Sequence, residues 1–244
     1  MGSKRSARSA TSSQAAESPL LDSFDAEQVK LLDEECIQVD ENDRVIGSSS
    51  KKDCHLMANI NRGLLHRAFS VFFFNSSGEL LVQQRSDRKI TFPGCYTNSC
   101  CSHPLANSSE LTADPILGVK RAAQRRMFVE LGIPPKELPL EAFNYLTRIL
   151  YKASSDGTWG EHEIDYILFV RKDLERIEAN QNEVKSLRFI RRDQIDDFVD
   201  NLAAEGHSLT PWFKLILNTF LKKWWDNLDC LHLFESHDVI HRLC

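Results

Sequence analysis

The 244-residue sequence contains no run approaching the roughly 18 to 20 uninterrupted apolar residues that a membrane-spanning helix requires. It has no CxxC pair, so a thiolate zinc knuckle is unsupported. Its 7 cysteines are odd in number and irregularly spaced, and no secretory signal is legible ahead of them. A disulfide scaffold is therefore not expected, and a reducing compartment is. Positive charge is not in excess either: 30 Lys+Arg against 35 Asp+Glu leave a formal charge of -5. That balance speaks against a nucleic-acid binder acting by bulk charge and leaves room only for a local basic pocket. There is no internal repeat. What the chain does have is 42% hydrophobic and 27% charged residues, enough to bury a core, and its length favours one domain with additions.

Residues 1–23 form a separate segment, rich in Ser and Ala, with Lys4, Arg5 and Arg8 and no acid before Glu17. Its composition suits a disordered tail, with mitochondrial targeting or myristoylation at Gly2 as sharper alternatives. From Asp25 to Glu35 the spacing of Val29, Leu31 and Leu32 predicts a short amphipathic helix. Cys36 to Val39 and Arg44 to Ile46 flank a turn-rich tetrad and predict a hairpin. The Phe- and Val-rich run Ala68 to Asn75, a Ser-Ser-Gly turn and the return from Glu79 to Arg85 read as the central hairpin of a buried sheet. Asp114, Pro115 and Gly132 bracket the clearest helix, Pro115 to Leu131. Strands follow at Ile164 to Val170 and Leu187 to Ile190, then helices from Asp193 to about Ala204 and from Pro211 to about Trp225. Strands and helices interleave irregularly, which predicts α+β or an α/β/α sandwich rather than a barrel.

Several residues have chemical potential. His55 and His66 flank an expected loop, His103 follows, and Glu161-His162-Glu163 stands just before a core strand. Three imidazoles and two carboxylates can satisfy a divalent cation without sulfur. In an extended segment Glu161 and Glu163 share a face, while His162 points away. Sequence spacing alone does not bring the histidines together. Cys101 stands two residues before His103, where a cation or helix N-terminus would enrich its thiolate. Lys51, Arg85, Lys89 and Arg126 are scattered cations that, if clustered, would suit an anion with several oxygens. Trp159 and Trp212 are ordinarily core residues, although an aromatic face can stabilise a cation in a dry pocket.

Five strings in order make a specific pattern: His55-Leu56, Leu65 to Ser70, Thr91 to Gly94, Thr97 to Pro104, and Trp159 to Glu163. With this spacing the chain resembles the type I isopentenyl-diphosphate isomerases, the animal enzymes especially, from about Asp25 to the C-terminus. The resemblance implies a single-domain Nudix-like α/β/α sandwich with a mixed central sheet, covering 24–244. The stretch Arg125 to Ile133 resembles the second half of a Nudix box, but Arg126 and Val129 stand where the hydrolase pattern has acids. The upstream Gly and Glu are replaced by Leu111 and Leu117. These departures weaken the alternative of a Nudix diphosphohydrolase. A catalytically silent paralogue is the other alternative.

Carried over by resemblance, a first metal site falls on His55, His66, His103, Glu161 and Glu163, with Glu130 helping to hold magnesium with the substrate diphosphate. Lys51, Arg85, Lys89, Arg126 and Ser102 would meet the substrate, isopentenyl diphosphate. Cys101 would be the catalytic thiol, with Tyr151 and Glu163 on the opposing acid-base side and Trp212 over the isoprenoid. The implied ions are Mg²⁺, with Mn²⁺ or Zn²⁺ as alternatives in the His/Glu site, and a second Mg²⁺ with the diphosphate. The resemblance also implies isoprenoid and sterol, including cholesterol, biosynthesis, with no nucleic acid, and a monomer is expected. A cytoplasmic location is expected. Peroxisomal import is placed in doubt by the ending Arg242-Leu243-Cys244, and mitochondrial targeting stays open.

Overall fold

The computed structural model describes residues 21–243. Most of the expected N-terminal tail, and Cys244, lie outside the described residues. Leu21, inside the expected tail, packs with Phe24 against Leu32, Ile90 and Trp159. The chain begins with α1 (Ala26–Leu31), β1 (Glu35–Val39), β2 (Val45–Ser50), α2 (Lys51–His55) and α3 (Met57–Ile60). It continues through β3 (His66–Phe74), β4 (Leu80–Arg85), β5 (Tyr96–Thr97), β6 (Cys100–Ser102) and α4 (Pro115–Leu131). The second half holds β7 (Asn144–Ser154), β8 (Gly160–Arg171), β9 (Val184–Ile190), α5 (Ile195–Ala204), α6 (Pro211–Ile216), α7 (Lys222–Trp225) and β10 (Ile240–Leu243). No helix among the described residues is long and apolar enough to cross a membrane.

The mixed sheet runs β10-β7-β8-β3-β1-β2, with β3 and β8 parallel and β7 and β8 antiparallel. All nine residues of β3 are buried because the sheet is covered on both faces. Alternation along the strand sorts them. Phe69, Val71 and Phe73 join Val119, Ala122, Ala123 and Met127 of α4 in one core. Phe72 and Phe74 join Trp212, Phe213, Ile216, Trp224 and Trp225 in the other. Each buried side chain of this size contributes about 1.5–3 kcal/mol. The expected α/β/α sandwich is the observed architecture.

Helix α4 starts and stops as its sequence predicts. The Asp114 carboxylate accepts the Ile116 N–H at 3.0 Å, and Gly132 closes the helix at φ 68° with its N–H on carbonyls of the last turn. Gly118 is required by close approach, since a Cβ there would lie 1.9 Å from the Glu110 carbonyl oxygen. The hairpin β1–β2 forms as expected.

Other expectations need correction. The strands β3 and β4 meet only at Phe74 and Leu80 and then part, β3 to lie beside β8 and β4 beside β9 and β5. A run apolar on both faces signals burial without naming its partner. The segment between His55 and His66 contains α3, and His55 itself ends α2, so the expected loop is in part helical. Glu161 to Glu163 lie within β8 rather than ahead of it. The last long helix contains a π-turn at Leu217–Leu221 between α6 and α7.

Candidate active site

The metal-ligand candidates converge. Ser50 caps α2 by accepting the Asp53 N–H, and this short helix carries Lys51 and His55 four residues apart on one face. His66 opens β3 in register with Glu163 on β8, and His103 follows β6. Glu161 and Glu163 are buried on one face of β8, while His162 turns away to donate its Nδ1–H to the Leu64 carbonyl at 2.8 Å. One donor atom from each of His55, His66, His103, Glu161 and Glu163 lies within 4.8 Å of every other.

These five residues fit a divalent cation on their own chemistry. His55 Nδ1 lies 2.6 Å from the Lys51 carbonyl oxygen, which only accepts, so Nδ1 carries the proton and Nε2 offers a lone pair. That Nε2 faces Glu161 Oε2 at 2.8 Å, yet Glu161 Oε2 has no hydrogen-bond donor. Two facing acceptors need a positive charge between them. Burial disfavours a charged His55, but Glu161 beside it raises its pKa above the ordinary value. His66 is fully buried, and neither ring nitrogen makes a hydrogen bond; its Nε2 is 3.2 Å from Glu163 Oε1 but off the bonding direction. Burial, with His66 and His55 nearby, pushes His103 well below the usual histidine range, leaving a neutral imidazole. Its Nε2 lies 2.8 Å from Glu163 Oε1. Unpaired buried polar atoms of this number are costly unless an ion satisfies them.

Beside the cluster is a pocket lined by Lys51, Arg85, Lys89 and Arg126 together with Ser102, Cys101, Tyr151, Glu163 and Trp212. The four cations come from α2, the end of β4, the loop after it and the C-terminal half of α4. Burial pulls Lys89 down to about 8, against the opposing pull of Glu183. Burial also works against the Arg126 charge, but Glu130 and Glu183 hold it on. Glu130 does not line the cavity. It accepts from Arg126 at 2.8 Å, one helical turn away, and from Gln83 at 3.3 Å, and it stands outside the His/Glu cluster.

The remaining walls hold the acid-base candidates. Cys101 on β6 pairs with Ser70 of β3, and Glu163 on β8 flanks the same strand. Tyr151 donates its hydroxyl to Glu163 Oε2 at 2.5 Å. Burial disfavours the Glu163 carboxylate, yet His66 and Tyr151 hold it below its ordinary pKa. The thiolate that a nearby cation would favour at Cys101 is opposed by burial, which outweighs Arg85 and pushes the thiol up to about 12. Trp212 is buried, with its ring centroid 6.1 Å from that of Tyr151. Trp159 is a core residue, packed edge-on against Phe24.

Sequence reasoning passed over two residues. Glu183, just before β9, accepts from Lys89 Nζ at 2.6 Å and lies 3.2 Å from Arg126, and no local pattern marks it. Asn98, inside the string Thr97 to Pro104, hydrogen-bonds Trp212.

Residues 64–213 match the NUDIX domain family. The chain is 57% identical over 222 residues to isopentenyl-diphosphate Delta-isomerase 1 of Bos taurus, covering 91% of this chain and 97% of that protein. It is 51% identical over 226 residues to the chloroplastic isopentenyl-diphosphate Delta-isomerase II of Arabidopsis thaliana, covering 90% of this chain and 79% of the plant protein. A solved NUDIX hydrolase from Alicyclobacillus acidocaldarius superposes with a TM-score of 0.50 at 10% identity, covering 69% of this chain and 96% of that one. That likeness is one of fold.

Proposed function

From its membership of the isopentenyl-diphosphate Delta-isomerase family, within the NUDIX domain class, we propose that this chain converts isopentenyl diphosphate to dimethylallyl diphosphate for isoprenoid synthesis. The observation that supports this best is the joining of three features in one cavity: four cations, a buried His/Glu cluster, and a thiol and a Tyr-bonded carboxyl on strands flanking β3.

Lys51, Arg85, Lys89 and Arg126 hold the diphosphate, with Ser102 beside it. This binding, remote from the reacting carbons, fixes the five-carbon chain between Cys101 and Glu163. The reaction adds a proton to the terminal methylene carbon and removes one from the carbon two bonds away, through a tertiary carbocation. Cys101, which holds its proton at rest, delivers the first proton from one side, and the Glu163 carboxylate, bonded to Tyr151, accepts the second on the other. The reverse reaction exchanges the roles. Trp212 stabilises the cation through its π face, and the buried walls of the pocket limit the water that could trap it as an alcohol. His55, His66, His103, Glu161 and Glu163 hold a divalent ion, Mg²⁺ in this reading. When bound it would supply positive charge beside Glu163 and so hold the carboxylate there ready to accept. Glu130, which accepts from Arg126 here, would help to hold a second Mg²⁺ with the diphosphate.

A proton NMR time course with isopentenyl diphosphate and magnesium in deuterated buffer tests the reading, with Cys101→Ala alongside. Deuterated dimethylallyl diphosphate from wild type, reduced by ~10²–10⁴-fold in rate for the variant, is the expected result. Phosphate or pyrophosphate release would identify a hydrolase instead, and unchanged substrate would point to a silent paralogue.

A further inference from the structure

Asn98 is completely buried between β5 and β6, and every hydrogen-bonding valence of its carboxamide is used. Nδ2 donates to the Val71 carbonyl at 3.1 Å and to the Cys100 carbonyl at 3.0 Å. Oδ1 accepts the indole Nε1–H of Trp212 at 3.0 Å and the Thr97 hydroxyl at 2.9 Å. The partners fix which end is which, because carbonyls only accept and an indole N–H only donates. One planar group thus ties the backbone just before Cys101 to the ring of Trp212, across 114 residues of sequence.

A second connection runs in parallel. Thr210, the residue before α6, places its hydroxyl 2.7 Å from that of Thr97, and the Cys101 sulfur is 3.9 Å from the same Thr97 oxygen. The single Thr97 hydroxyl proton goes to Asn98, so Thr97 accepts from both of these neighbours. On its other sides Trp212 meets the edge of Phe92 at 5.3 Å between centroids and the Arg85 guanidinium at 5.7 Å from its ring. Those contacts limit how far the ring moves but do not define its rotation. The indole N–H bond does.

We propose that Asn98 is a positioning residue for the isomerisation, setting the face of Trp212 and the strand bearing Cys101 at a fixed relation across the cavity. The proposal rests on the functional reading above, in which those two groups act on opposite parts of one intermediate. Stabilisation of a cation by an aromatic ring depends on the face presented, so a rotated indole loses it even though the ring is still there.

The test is a double-mutant cycle of Asn98→Leu with Trp212→Phe, which keeps an aromatic face but has no N–H to place. In otherwise wild-type protein, Asn98→Leu is expected to lower kcat by about 30-fold, the rate equivalent of a lost desolvated cation–π contact, with KM held within about threefold. In the Trp212→Phe background the same change is expected to cost less than about fivefold. Equal losses in both backgrounds, or a change confined to KM, would overturn the proposal. A measurement on unaltered protein covers the case in which Asn98→Leu fails to fold. The Trp212 indole N–H resonance, assigned by its disappearance in Trp212→Phe, is expected to be protected from hydrogen exchange, and rapid exchange would overturn the clamp. The two readings fail separately: absence of turnover in wild type removes the functional reading and any role in turnover, whereas normal turnover with additive losses removes Asn98 alone.

Discussion

Replacing Glu183 with Gln should make the protein less stable and its diphosphate site more receptive. The Glu183 carboxylate lies 2.6 Å from Lys89 Nζ and 3.2 Å from Arg126 Nη2, and the side chains are 4%, 10% and 3% exposed respectively. Taking one member from a buried ion pair costs about 3–5 kcal/mol, because the partner is left charged and dry. At about 2–4 °C per kcal/mol for a chain of this size, the lower figure lowers Tm by about 6–12 °C. The pH dependence has a defined sign. Burial works against the Glu183 charge, but Lys89 and Arg126 hold its pKa below the ordinary 4.5. Its stabilisation is therefore complete above 4.5 and fades as pH falls through the depressed folded value, so the gap between wild type and Glu183→Gln narrows in acid. Pyrophosphate brings its own anion to the same cations. It should raise the Tm of the variant more than that of wild type, and bind the variant up to about tenfold tighter, or ~1.4 kcal/mol. Scanning calorimetry and calorimetric titration with pyrophosphate read both quantities. If Glu183→Gln weakens pyrophosphate binding as much as Lys89→Ala does, the carboxylate is not a stand-in for substrate charge and the reasoning fails.

Lys89, drawn down to about 8 by burial, loses its charge as pH rises through that value, so KM for isopentenyl diphosphate should climb above pH 8. Lys89→Arg should flatten the climb, and a pH series of KM that stays flat in wild type would refute the assignment. Removal of His55 takes one of five donors from the cluster. His55→Ala should lower divalent-ion affinity by more than the ~10–100-fold typical of losing an outer-shell partner, as read by chelator competition and elemental analysis. Wild type should gain roughly 2.7 kcal/mol from metal at a hundredfold excess over Kd, and the variant much less.

The His/Glu cluster was legible as residue types before it was legible as a place. His55, His66, His103, Glu161 and Glu163 stand out because few other arrangements use three imidazoles and two acids, and the alternation of β8 put both carboxylates on one side. What the chain pattern does not encode is which strand lies beside which. The residues of β3 are apolar on both faces whether their neighbour is β4 or β8, so the expected hairpin and the observed parallel pair share one local signature. Strand β7 went unread for a related reason: its alternation breaks at the register shift between Tyr145 and Thr147. It is nonetheless β7 that delivers Tyr151 to Glu163.

The charge state of Cys101 is not legible in the sequence, because sequence proximity reports neighbours but not burial. Arg85 does pull the thiol down, as a nearby cation should, and burial still raises it to about 12. That outcome has a chemical consequence. A thiol that stays protonated at rest cannot act as a standing base, but in the proposed reaction it has a proton to deliver to the alkene. A proton on carbon beside a tertiary cation is strongly acidic, which lets the Glu163 carboxylate accept it even with its pKa held below the ordinary value. The same dry surroundings that suppress the thiolate also keep water from that cation, so the suppressed thiolate and the protected intermediate have one structural cause.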